Sequence, residues 1–75
     1  PKIVNELDID MEVMETGTYQ FEIYNINGSL LHQQKLDLPK GQQQHRFALN
    51  QPIQKGIFLM KVNDGEHQII QKFKY

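Results

Sequence analysis

Residues 6–13 read Glu-Leu-Asp-Ile-Asp-Met-Glu-Val, an unbroken alternation of carboxylate and apolar side chain. A period of two fits a β-strand with one face on a core, and a helix cannot satisfy it. The pattern sends Leu7, Ile9, Met11 and Val13 to one side and Glu6, Asp8, Asp10 and Glu12 to the other. The same period returns at 18–24, where Tyr19, Phe21 and Ile23 share a face, and at 43–49, where His45, Phe47 and Leu49 do. A single Ala in 75 residues argues further against helices, since Ala is the strongest helix former. Strands are also expected at 29–36, less cleanly patterned, and at 57–62 and 67–75. Ile57-Phe58-Leu59-Met60 is apolar on both faces, which predicts a central strand covered on both sides. In the last strand Ile69 and Phe73 share one face, while Lys72 and Lys74 share the other.

Turn chemistry separates these runs. Residues 14–17 suit a turn. Asn27-Gly28 suits a type I′ hairpin with positive φ at both residues. Pro39 and Gly41 break the pattern over 37–41, and 50–56, with Pro52 and Gly56, reads as a connecting loop. Asp64-Gly65 is a second hairpin signal. Six or seven short strands without a helix predict an all-β domain, an antiparallel β-sandwich or a small barrel. The expected core is Leu7, Ile9, Phe21, Ile23, Phe47, Leu49, Phe58, Met60 and Phe73.

Composition narrows function by exclusion. Eight Lys plus Arg against nine Asp plus Glu give a net charge of −1, with no basic block to hold phosphates, so nucleic acid is not an expected partner. There is no cysteine, hence no disulfide framework and no thiolate chemistry. The longest apolar run is residues 57–60, far short of the roughly 20 residues that cross a bilayer. Leu, Ile, Val and Phe are frequent enough to support a folded core. A domain of this size buries only about 60% of its unfolded surface, which leaves little core for a deep, dry active site. The chain opens at Pro1 with neither an initiator Met nor a signal peptide, so residues 1–75 are expected to be one module excised from a larger protein.

The chemistry-bearing residues are sparse. His32, His45 and His67 fall on three different expected strands with no metal-ligand spacing, and read as half-exposed strand residues. The acidic row on 6–13 spaces its carboxylates roughly 7 Å apart, too far to share one ion without a loop. It reads as a solvated face that discourages edge pairing. Ser29 is the only serine and no G-x-S-x-G surrounds it, so neither catalytic residues nor a cofactor are expected. Without Trp, a sugar-stacking platform would rest on Tyr19, Tyr24 and Tyr75. Lys72 and Lys74 are either ordinary surface lysines or the basic face of a final strand that another protein grips by strand addition.

Taken in order, Asn27-Gly28, Lys40-Gly41, the run from Lys55-Gly56 through Ile57-Phe58-Leu59-Met60-Lys61-Val62, Asp64-Gly65 and the closing Lys72-Phe73-Lys74 form a set. It resembles the type A C-terminal sorting domain of the Bacteroidetes type IX (Por) secretion system over essentially all 75 residues. Two departures are Phe58 where Tyr is usual, and a proline-rich opening of which only Pro1 remains. The resemblance implies an immunoglobulin-like sandwich that is a ligand and substrate rather than an enzyme. It implies a tag on a secreted passenger, exported to the periplasm and then across the outer membrane to the cell surface. The implied partners are an outer-membrane shuttle β-barrel protein and a surface sortase-like cysteine peptidase that removes the domain, with the passenger commonly joined to an anionic lipopolysaccharide. The residues carried over are Gly28 for the turn, Gly56 and Phe58 for the Gly-x-aromatic piece, Gly65 for the hairpin and Lys72 for the terminal basic position, with Lys74 beside it. Against these stand a turn-forming role for Gly28 and Gly65 and a core role for Phe58. A carbohydrate-binding or adhesive sandwich, or a fibronectin-like spacer, are the alternative functions.

Overall fold

A computed structural model describes the backbone of residues 4–53 and 56–74 and the side chains of 6–49 and 56–74. Pro1, Lys55 and Tyr75, invoked above, lie outside the described residues. Six strands follow one another: β1 (Val4–Val13), β2 (Gly17–Asn25), β3 (Leu30–Leu38), β4 (Gly41–Ile53), β5 (Ile57–Asn63) and β6 (Gln68–Lys74). All pairings are antiparallel, and no helix occurs among the described residues. β1 and β4 form a two-stranded sheet, and β3-β2-β5-β6 form a four-stranded one. The result is the expected small β-sandwich.

The alternating residues fill the space between the sheets. Leu7 and Val13 from β1, Phe21 and Ile23 from β2, Phe47 and Leu49 from β4, and Phe58 and Met60 from β5 are all buried. Each such side chain contributes about 1.5–3 kcal/mol by leaving water. Phe47 sits at the centre, its ring 5.2 Å from Phe21, 4.6 Å from His45 and 6.1 Å from His32. Phe58 and Phe73 pair similarly at 6.0 Å. Ile9 and Phe73, expected inside, are only half-buried and pack on the margin of the core, while Val13, outside that set, is buried. The reason is coverage. Two strands cannot roof four, so the margin beyond β1 stays open above β6.

Several boundaries differ from expectation. β3 runs on through Asp37 and Leu38, and β4 begins at Gly41 and continues through Asn50, Gln51 and Pro52. The register explains how β4 holds a proline. Val4 opposes Ile53 while Glu6 already opposes Ala48, so 49–52 is an irregular stretch where ladder bonds are interrupted. β5 is central, between β2 and β6, but only its Phe58 and Met60 side is buried. Its other side is not covered: Ile57 is 42% exposed.

The first hairpin is not type I′. Among the described residues only glycines have positive φ, so Asn27 does not, whereas Gly28 stands at φ 89°. Gly28 N–H donates to the Asn25 carbonyl at 3.0 Å, and Asn25 N–H donates to the Ser29 carbonyl at 3.0 Å. This is a three-residue loop in which a β-turn is followed by one left-handed glycine, so only one residue needs positive φ. The Asn25 side-chain oxygen accepts from the Asn27 and Ser29 amides and fixes the loop.

The second hairpin is held by Asp64, whose Oδ1 accepts from the Glu66 amide at 2.9 Å and the His67 amide at 2.6 Å. The His67 amide bond first, and the Glu66 one with it, hold the Asp64 carboxyl below its ordinary 3.8. A depressed folded pKa stabilises the fold above the unfolded pKa, and that contribution is lost as pH falls through the folded value. Thermal melts should therefore lose midpoint below about pH 4. In Asp64→Asn, which keeps an acceptor oxygen but cannot titrate, that loss should be smaller. An identical acid profile for the two proteins would show that this turn does not set the acid limit.

Candidate recognition surface

β5 and β6 alternate their side chains between the core and the outer face of the four-stranded sheet. Phe58 and Met60 point inward. Ile57, Leu59 and Lys61 of β5 therefore point outward, as do Ile70, Lys72 and Lys74 of β6. The register lays these out in rows. Tyr24, Leu59 and Lys72 stand side by side across β2, β5 and β6. Glu22, Lys61 and Ile70 form the next row, and Ile57 faces Lys74. Ile70 is 61% exposed, a large apolar side chain left in water between basic neighbours.

One row is electrostatically tied. Lys61 Nζ lies 3.5 Å from Glu22 Oε1, and the Tyr24 hydroxyl donates to the same oxygen at 2.7 Å. That hydrogen bond to a carboxylate holds the Tyr24 phenol above its ordinary value. Lys72 and Lys74 are exposed, and no carboxylate of the described residues forms an ion pair with either. The face is thus apolar in its middle and basic along the β6 side.

The six sequence candidates separate on this frame. Lys72 and Lys74 lie on the outer face. Gly56 precedes β5, at the same end of the sheet as the Gly28 turn, because Asn25 is paired with Phe58. Gly65 sits at the opposite end with φ 100°, one seven-residue strand away. Both Gly28 and Gly65 have open space where a Cβ would be, so the backbone conformation alone requires glycine there. Phe58 is 4% exposed and packs in the core. Lys72, Lys74, Gly56 and Gly28 cluster toward one end of one sheet, and Gly65 does not join them.

Sequence reading missed the apolar companions of the lysines. The signal was present, since Ile57 and Leu59 made β5 apolar on both faces. It pointed to a second covering layer that the described residues do not supply.

Among the described residues, the histidines, Ser29 and the tyrosines lie apart from one another. His32 and His45 flank Phe47 from opposite sheets, and His67 belongs to the β5–β6 turn. No group of three or more His, Asp or Glu among the described residues is placed to hold a metal. Ser29 is exposed at the end of the first hairpin, held by its backbone amide. Tyr19 lies toward the core side, its hydroxyl donating to the Glu15 carbonyl, whereas Tyr24 lies on the outer face. The two rings do not make one platform.

No curated protein and no solved structure matches the chain. Among families, residues 3–74 match the model described as the secretion system C-terminal sorting domain. Domains of this kind carry the signal for type IX export across the outer membrane to the cell surface, and the family is not a catalytic one. With the match running through all six strands, the chain belongs to the type IX secretion C-terminal sorting domain family.

Proposed function

We propose that this domain is the portable address of a larger secreted protein, gripped by the type IX machinery through the outer face of β5 and β6. The observation that carries the reading is the unroofed face of β5 beside Lys72 and Lys74. A sheet face that leaves Ile57 and Ile70 exposed beside two exposed lysines is a surface built for a partner. The partner that reads it is an outer-membrane shuttle β-barrel protein. A surface sortase-like cysteine peptidase then removes the domain, and the passenger goes to the cell surface, commonly joined to an anionic lipopolysaccharide. Transit through the periplasm precedes these steps. A domain without cysteine folds there independently of disulfide oxidation.

Fusion to a reporter in a type IX-competent bacterium tests the reading. The reporter should leave the cell only when it carries these 75 residues at its C-terminus and only in a strain with an intact type IX system. Export from a strain lacking that system, or retention in the competent strain, would overturn it.

A further inference from the structure

The mismatch in sheet width leaves a groove. It measures about 640 Å³ and runs between β1 and the inner face of β6. Ile9 and Met11 line its roof, and Met60, Ile69, Gln71 and Phe73 line its floor. Ile69 is 62% exposed although it shares the inward face with Phe73. Among the described residues β1 pairs only with β4, so its other edge is free along the strand. A strand added at that edge would lie about 4.8 Å from β1 and about 10 Å above β6, the position that roofs Ile69 and Phe73.

The charge of β1 says what such a strand carries. Its outward side chains Glu6, Asp8, Asp10 and Glu12 are exposed. On the β4 side they face Ala48, Arg46, Gln44 and Gln42. Arg46 is the one basic residue in that set, and it meets Asp8 as a fork, Nε to Oδ1 at 2.8 Å and Nη2 to Oδ2 at 3.3 Å. That pair shows the geometry available to any basic side chain directly across from the acidic row. The three other carboxylates have neutral side chains opposite them. A neighbour on the free edge with Lys or Arg at alternate positions would complement them, and an acidic or neutral strand would not.

We propose that the β1 edge and the groove beneath it bind an extended strand of another protein in which apolar and basic residues alternate. Its apolar side chains close over Ile69 and Phe73, and its basic ones meet Asp10 and Glu12. Main-chain bonds to β1 supply affinity and the alternating pattern supplies selectivity. A second copy of this chain fits less well. Its own β6 offers only Lys72 and Lys74, at one end, and pairing β6 of one copy with β1 of the next is head-to-tail, so it does not form a two-fold dimer. This binding activity goes beyond sorting and needs no secretion apparatus, so it stands or falls separately from the function proposed above.

The probe is a short fluorescein-labelled peptide in which Lys and Val strictly alternate, titrated into the 75-residue protein with anisotropy as readout. An isomer with all its lysines before all its valines has the same charge but cannot present two faces. It should bind at least about tenfold more weakly. Asp10→Lys with Glu12→Lys, and separately Ile69→Glu, should each weaken binding of the alternating peptide by about tenfold or more. All three positions are exposed, so the variants should melt like the parent. Amide shifts on peptide addition should concentrate in β1. Four results would overturn the proposal. They are no binding, equal binding of the block isomer, amide shifts centred away from β1, and self-association of the protein that fills the groove with a second copy.

Discussion

Phe47→Ala should strip the domain of a large share of its stability. Phe47 is fully buried and is the ring on which the two sheets meet, touching Phe21 across the interface and His45 on its own strand. Removing a buried phenyl costs about 3–5 kcal/mol once the cavity is counted. A domain of this length has roughly 4–11 kcal/mol of total stability at about 0.05–0.15 kcal/mol per residue. The substitution therefore removes all of it at the lower end of that range and about a quarter to a half at the upper end. Phe58→Ala should fall in the same range, since Phe58 is 4% exposed. Ile57→Ser, one residue away on the open face, should change stability by less than about 1 kcal/mol. Urea titration followed by far-ultraviolet circular dichroism separates these outcomes. A cooperative transition for Phe47→Ala at the parent midpoint would mean the sheets are held together elsewhere.

Lys72→Ala combined with Lys74→Ala should abolish most export while leaving the fold intact. Exposed lysines without ion-pair partners contribute little to folding, within about 0.5 kcal/mol. The melting curve should hardly move. If the outer face of β6 is what the machinery grips, losing two charged contacts at about 1 kcal/mol each lowers affinity on the order of tenfold to thirtyfold. A fused passenger should then accumulate inside the cell envelope. Normal secretion would move recognition to another surface, such as the Gly65 end of the sheet. Failure accompanied by a collapsed melting curve would make the lysines structural. The paired measurement of melting and export decides among the three.

Most of the architecture was legible because period-two alternation reports which side of a strand is dry. It placed Leu7, Phe21, Ile23, Phe47, Leu49, Phe58 and Met60 correctly in the core. What alternation cannot report is whether anything lies above the dry side. Phe73 carries the same local pattern as Phe58, yet it stands at the margin because the sheet opposite it is two strands narrower, and Ile9 lines the opening that this leaves. The same limit made β5 look doubly covered. Pro52 misled in the opposite direction, since a proline that signals a loop is tolerated where the β1–β4 register is broken. Asn27-Gly28 marked the turn but not its class, because the positive φ falls on Gly28 alone. For the recognition surface, Lys72 and Lys74 stood out as charge. Their neighbours Tyr24 and Leu59 became visible only once the strands were in register.

The pairing of β1 with β4 also has a kinetic meaning. β2 with β3, and β5 with β6, are hairpins whose partners adjoin in sequence, and both can zip from their turns. Leu7 must find Phe47 across the whole of the intervening β2–β3 hairpin. Closing so large a loop has an entropic cost that is met before any contact rewards it. Domains dominated by such distant pairings fold in about milliseconds to seconds rather than microseconds. The four-stranded sheet carries the same requirement, because Phe21 must find Val62, so the two hairpins form first and both distant pairings follow. It follows that the folding chain passes through a stage in which the β2–β3 and β5–β6 hairpins stand apart while the acidic strand is still free.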